Sequence, residues 1–528
     1  MTLVPPAILY SSGGMVSSPD HLASQAGIEM LAKGGSAADA AVAASATLAV
    51  TSQHMCGMGG DLWAVVTDAA KERPAALVAA GRAGSGADPD RLRSKGLSAI
   101  PPTGDVAAVP VPGCVDGWVA LNQRYGRLDL AECLAPAIRH ATGGFPASHS
   151  LAAAMSGVSG LLARSDYQPA RPVAPGTLLY RPRVARALRA IAEGGRDAFY
   201  CGPFGEGLIE LGAGEYDRED LGLSQASWED PIAVQAWGWT IWGAPAPSQS
   251  YCLLSAAWMA SQLGLPDDPD SPLWAHLLVE AIVQSCHDRQ EVLSDLADAQ
   301  ALCSAPPLAG RLASISHQHA SLTAMPASEG DTVACVVVGP HGDAVSMLQS
   351  NASGFGSGLV EERTGIFLHD RGIGFSLQEG HPALYSPRRR PPSTLSPTLA
   401  IQDGGGDLLS LATMGGDTQP QVLLQLLTRV LRNGQSPAEA VSAPRWAVVS
   451  QPGMRPAGFS TWEPDVAPQL GLEANAPAVW AKGLASMGHR IVLAEPFSFG
   501  HAQMIRSHDG VCEGLADPRS GYGGAAGR

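Results

Sequence analysis

The sequence predicts an α+β protein. Three observations carry that expectation: two capped helix signatures near the start, a β-branched hairpin pattern at residues 331–349, and a last third that alternates strand and helix patterns. Taken in order, Asp20 precedes an amphipathic run bearing Leu22, Ala26, Met30 and Leu31, and Gly34-Gly35 follows as a stop. Ser36-Ala37-Ala38-Asp39 has the spacing of a capping box and opens a second, Ala-rich helix to about Val50. Small side chains all round predict a helix buried on every side. The turn Cys56-Gly57-Met58-Gly59-Gly60-Asp61 leads into a strand over Leu62 to Val66, and a second strand, Ala75 to Ala80, ends in Gly81-Arg82-Ala83-Gly84. Val115 to Arg124 reads as helix.

Residues 130–310 read mainly as helices between Pro/Gly turns, with Leu273 to Ala297 the longest periodic run. Residues 305–330 lose that period and read as an exposed linker. Asp331 to Val338 is then β-branched, Gly339 to Asp343 is a turn, and Ala344 to Gln349 returns, which predicts a hairpin; its successive apolar residues predict central strands covered on both faces. Strands at Leu399 to Gln402, Leu408 to Ala412 and Ile491 to Ala494 alternate with helices at Gln421 to Asn433 and Pro477 to Met487.

Composition narrows the function. Hydrophobic residues make up 45% of the 528 and charged ones 16%, too apolar for disorder, and length alone predicts three to four domains. The net charge is 34 − 49 = −15 and the only lysines are Lys33, Lys71, Lys95 and Lys482, so nothing is spread out to neutralise phosphates and nucleic acid is excluded as a partner. Arg388-Arg389-Arg390 reads as a solvated turn. The start has no basic region and carries Pro5-Pro6, and the longest apolar run, Ala37 to Val50, falls short of the ~20 residues that span a bilayer. No membrane partner and a cytoplasmic protein are expected. Nine scattered cysteines without CxxC suit reduced thiols. No HExxH or similar spacing occurs, so no metal and no cofactor are expected.

Thr332 begins a buried-looking strand after a flexible stretch. If the Asp331–Thr332 bond were cut, one residue would hold both a nucleophilic hydroxyl and a base, its new α-amine; by spacing alone, such a threonine is a turn residue entering a strand.

GDTVACVVVGPHGDAVS resembles the nucleophile strand of the γ-glutamyltranspeptidase family, N-terminal-nucleophile hydrolases made as proenzymes that cleave themselves before a threonine. The resemblance continues through SSPDHLASQAGIEMLAKGGSAADAAVAA, CGMGGD, GRAG, VPVPGCVDGW, RPPSTLSPT, TMGGDTQPQ, EAVSAPRW and ADPRSGYGG, in family order along nearly the whole chain. It implies an αββα sandwich in which residues 1–331 become a large subunit and 332–528 a small one, two partners forming one domain. It implies that Asp331-Thr332 is the cleavage site, Thr332 the nucleophile, Ser350 the hydroxyl beside it, and Gly415-Gly416 the oxyanion hole. Ser393 and Thr394 match a pair that contacts the substrate carboxylate, and Arg82 matches the arginine that clamps it.

Three positions depart from the family. Ala352, Arg371 and Gly374 stand where γ-glutamyl enzymes have an Asn, a Gln and an acid that hold the donor's α-ammonium. The substrate implied is a small amide with a carboxylate, met by Arg82 or Arg371, and no α-ammonium. The pattern is similar to the branch that includes oxamate amidohydrolase. Two alternatives stand beside this amidohydrolase: a γ-glutamyltransferase or glutathione hydrolase in which Asp370 takes the ammonium, and an unprocessed, non-catalytic binding protein.

Overall fold

The computed structural model describes residues 8–70, 73–167, 172–212, 214–321, 331–449, 469–496 and 498–528. Its centre is two seven-stranded sheets packed face to face. In the first, the hairpin Asp331–Val338 and Ala344–Ala352 is flanked by Met15–Ser18 on one side and Asp61–Thr67 on the other. Gly524–Gly527, Ala75–Ala79 and Ser227–Glu229 complete it. The second sheet centres on Thr398–Gln402, Leu408–Thr413 and Ala502–His508.

Strand period 2 sorts the side chains into layers. Val333, Cys335 and Val337 enter one core with the helices His21–Ala32 and Ala37–Thr51, whereas Ala334, Val336 and Val338 enter a second core between the sheets with Leu399 and Ala412. A third core packs the outer face of the second sheet, Ala400, Leu409 and Leu411, against Ser250–Gln262 and Pro272–Cys286. Helix, sheet, sheet, helix is the expected αββα order. The expected covering of the hairpin on both faces follows from it, since every residue from Thr332 to Val338 and from Ala344 to Ala352 is buried.

The opening helices form as their caps dictate. The Asp20 side chain accepts from Leu22 N, and Ser36 and Asp39 make a reciprocal capping box. All fifteen residues of Ala37–Thr51 are buried, which only small side chains allow at this packing density.

Elsewhere the structure departs from the sequence reading. The middle region contains a hairpin, Ile232–Ala236 and Trp239–Gly243, whose inward and outward residues alternate; Trp237 and Gly238 at its tip both have positive φ, the geometry of a two-residue turn. Leu273 to Ala297 is not one helix: Pro272–Cys286 stops, and a short turn Arg289–Val292 follows because Arg289 swings inward to a buried ion pair with Asp417. The linker reading fails at Ala305–Ala313, which is helical, while residues 322–330 lie outside the described residues. The helix at Gln421 to Asn433 instead spans Gln419–Leu427 and widens over Thr428–Arg432. The arginine run is not simply solvated either: Arg388, Arg389 and Arg390 pair with Glu219, Asp295 and Glu229, tying the run to three separate segments of the chain. Among the described residues no helix is long and apolar enough to cross a membrane.

Candidate active site

The ladder between the central strands steps where Asp331 faces Ala352 but Thr332 faces Ser350, leaving Asn351 as an extra residue. A bulge of this kind re-aims side chains at a strand end. Thr332 lies on the face it shares with Ala334 and Val336, toward the second sheet. It is 1% exposed. Its Oγ1 lies 3.0 Å from Ser350 Oγ, and Ser350 Oγ lies 2.8 Å from the carbonyl oxygen of Asp331 and 2.8 Å from Ala352 N. The proton positions follow from what each group can do. A carbonyl only accepts, so the single Ser350 hydrogen goes to Asp331 O; the Ala352 N–H donates to Ser350, and the remaining contact requires Thr332 Oγ1–H to donate to Ser350 Oγ. Ala352, whose N–H meets Ser350, has φ 69°, an uncommon conformation for a non-glycine residue.

Gly415 and Gly416 follow the second-sheet strand Leu408–Thr413. Their φ values are 131° and 54°, and a Cβ on Gly415 would meet Thr418 Oγ1 at 2.5 Å, so side chains are excluded from Gly415 on two counts. Both carbonyls are engaged: Gly415 O accepts from Thr418 N and Oγ1, and Gly416 O accepts from Gln249 Nε2 at 2.9 Å. Neither N–H has an acceptor among the described residues. This is the arrangement in which a pair of backbone donors can meet a developing oxyanion.

Asp61, opposite Ser350 in the next strand, is fully buried and takes Arg371 two-pronged, Nε to Oδ2 at 2.9 Å and Nη2 to Oδ1 at 3.3 Å. Arg371 Nη1 reaches Thr394 Oγ1 at 3.2 Å. Gln249 Nε2 donates to both Thr394 O, at 2.8 Å, and Gly416 O, while Ser393 is held through its backbone by Pro247 O and Gln249 N. A continuous path therefore runs from Thr332 through Ser350, Asp61, Arg371, Thr394 and Gln249 to Gly416. Asp61 and Gln249 escaped the sequence reading. The signal for Asp61 was available, a lone acid at the head of the otherwise apolar strand Asp61–Thr67. Arg371 arrives with its charge already matched by Asp61, which corrects its expected part as a free clamp for a substrate carboxylate.

Arg82 is placed differently. It is half-buried in the loop after Ala75–Ala79, its Nη1 lies 3.5 Å from Arg388 O, and among the described residues no carboxylate is within ion-pair distance of it. Burial and the neighbouring Arg390 pull its pKa down, with Asp295 and Glu229 opposing. A cleft of about 190 Å³ opens beside the path, lined by Ile373, Gly374, Pro392 and Arg289. Ala352 and Gly374 bring no acceptor. Asp370 does: one oxygen accepts from Ser353 N at 2.9 Å and the other, buried, has no hydrogen-bond partner among the described residues, and burial raises its pKa to about 6.

Known proteins resemble this chain over nearly its whole length. The sequence model of the gamma-glutamyltranspeptidase family matches residues 23–527. The glutathione hydrolase-like YwrD proenzyme of Bacillus subtilis is 35% identical over 530 residues, covering 97% of this chain and 98% of its own. The oxamate amidohydrolase proenzyme of Klebsiella pneumoniae is 35% identical over 541 residues, covering 98% and 99%. The crystal structure of cephalosporin acylase from Bacillus halodurans matches 100% of this chain and 98% of that one, with a TM-score of 0.87 and 28% identity.

Proposed function

The chain belongs to the gamma-glutamyltranspeptidase family of hydrolases, and on that premise we propose that it is a proenzyme that cuts itself between Asp331 and Thr332 and then hydrolyses a small carboxylate-bearing amide, with oxamate the leading candidate. The observation that carries the reading is the position of Ser350, in contact with both the Thr332 hydroxyl and the Asp331 carbonyl.

In the uncut chain, Thr332 Oγ attacks the Asp331 carbonyl carbon while the Ser350 hydroxyl donates to the oxygen as it gains charge. The C–N bond breaks as the nitrogen takes up the hydrogen that the Thr332 hydroxyl gave up, becoming the α-amine of Thr332, and water opens the resulting ester to the Asp331 carboxylate and the free Thr332 hydroxyl. In the cut enzyme that amine, with an ordinary pKa of about 7.7–8.0, is near neutral pH a competent base for the Thr332 hydroxyl. The hydroxyl adds to the substrate amide, the Gly415 and Gly416 N–H groups receive the oxyanion, ammonia leaves with the transferred proton, and water releases the acid from Thr332. Arg82 binds the substrate carboxylate, with Ser393 and Thr394 beside it; Arg371, neutralised by Asp61, holds Thr394 in place. Strands from both sides of the cut alternate in the first sheet, so the fragments stay together. The cytoplasmic placement belongs to this proposal.

One observation favours a second reading. The unpartnered oxygen of Asp370 offers a buried acceptor for an α-ammonium, which a γ-glutamyl donor carries and oxamate lacks. Intact-mass analysis tests the shared step: fragments of 331 and 528 − 331 = 197 residues are expected, and Thr332→Ala is expected to stay uncut and inactive. A chain that stays whole on incubation supports a non-catalytic binding protein instead. Ammonia release from oxamate set against turnover of a γ-glutamyl anilide decides the substrate; rapid anilide turnover without oxamate hydrolysis overturns the first reading in favour of Asp370.

A further inference from the structure

Helix Pro272–Cys286 places His276 and Glu280 one turn apart on a single face, both buried. His489, from the loop that follows helix Ala478–Ser486, meets them, and the two helices are held in register by stacking of Trp274 on Trp480. His276 Nδ1 lies 2.8 Å from His489 Nε2, and one nitrogen or oxygen of each of the three residues lies within 4.8 Å of the others. No sequence spacing announces this set, because His489 lies 213 positions beyond His276.

The tautomer of His276 is settled by its other nitrogen. Nε2 lies 2.7 Å from the carbonyl oxygen of Ser316, which only accepts, so Nε2 carries the hydrogen and the lone pair of the neutral ring is on Nδ1, facing His489. A backbone carbonyl orienting one ring nitrogen so that the other can ligate is the usual outer-shell arrangement of metal-binding histidines. Glu280 supplies the second observation. Its two oxygens accept from Ser321 N at 3.1 and 3.0 Å, and among the described residues no cation is within ion-pair distance of this buried carboxylate. A carboxylate in that position is costly without a positive partner. Two imidazoles sharing one hydrogen and one acid therefore meet in a buried pocket with no Lys or Arg among the described residues in ion-pair contact with the acid.

We propose that His276 Nδ1, His489 Nε2 and Glu280 bind one zinc ion. Two imidazoles and a carboxylate match zinc's ligand preference, and a tetrahedral ion with Zn–N bonds of about 2.0–2.1 Å requires the two nitrogens to part by only ~0.5 Å as the shared hydrogen is displaced. None of the three residues takes part in the path from Thr332 to Gly416, so the ion is structural. His276 and Glu280 precede the Asp331–Thr332 bond and His489 follows it, so the ion also ties the two fragments together; this second role rests on the proposed cleavage.

Zinc binding is measured by calorimetry and metal analysis on the EDTA-treated full-length protein and on Thr332→Ala, so the site is read whether or not the chain cuts itself. One zinc per chain is expected in both. His489→Ala and Glu280→Gln are expected to weaken binding by more than about 100-fold, beyond the ~10–100-fold loss typical of an outer-shell change, with circular dichroism confirming that each variant is folded. No zinc binding by the folded wild-type chain, or unchanged binding in both folded variants, overturns the site. In processed protein EDTA is expected to lower the urea concentration at which the fragments separate, and an unchanged concentration overturns the tying role.

Discussion

Arg371 and Arg82 were both expected to meet a substrate carboxylate, yet the fold treats them in opposite ways. Arg371 is fully buried, held two-pronged by Asp61, and spends a further donor on Thr394. Arg82 sits half-buried at a loop rim, where its side chain makes a long contact to a carbonyl and has Arg390 close by. A guanidinium whose charge is matched inside the protein organises its neighbours, whereas one left unmatched at a rim is available to an anion from outside. On the proposed reading, machinery and recognition are separated: the first is built into the sheet ends and the second into the loop that carries Arg82.

The largest expected effect tests the buried side of that division. Asp61→Asn leaves Arg371 charged and without its carboxylate, and should cost about 3–5 kcal/mol of stability, read by urea unfolding of the uncut Thr332→Ala background. A loss below 1 kcal/mol would show that the pair does not organise the site. Next in size is Arg82→Gln. Losing a charged hydrogen bond to the substrate is worth about 1.5–3 kcal/mol, or ~10- to 150-fold in kcat/KM, with the melting temperature unmoved. If Arg82→Gln instead destabilised the fold as much as Asp61→Asn, the contrast between the two arginines would collapse. The smallest effect concerns Asp370, whose folded pKa is raised from 3.8 to about 6. The folded state holds a proton that the unfolded chain releases, so the stabilising contribution is complete below pH 3.8 and is lost as pH rises through about 6. Asp370→Asn should flatten the stability profile across that window, and a profile that keeps the wild-type slope would assign the slope to another group.

Local signals were legible wherever a residue and its partner are near in sequence. Asp20, and Ser36 with Asp39, cap their helices from within three residues, and the hairpin at 331–352 announces itself by β-branching and a Gly-rich turn. The hairpin at 232–243 was missed because Trp237-Gly238 is a weak turn signal and its strands interleave alanines and a glutamine. The chain-wide family motifs placed Thr332 opposite Ser350, but the partner of Arg371 was out of reach, since Asp61 lies 310 residues away.

From the sequence alone came the α+β character, the buried alanine helix, the family, and the identity of the groups that carry the proposed reaction. The tertiary structure decided which charges are already spent. It closed Arg371 onto Asp61, left Arg82 without an ion pair and one oxygen of Asp370 without a hydrogen bond among the described residues, and gathered His276, Glu280 and His489 from both sides of the Asp331–Thr332 bond. The reason is physical: hydrogen-bond caps and strand periodicity act over a few residues, whereas the pairing of buried charge depends on distances of a few ångströms between segments hundreds of residues apart.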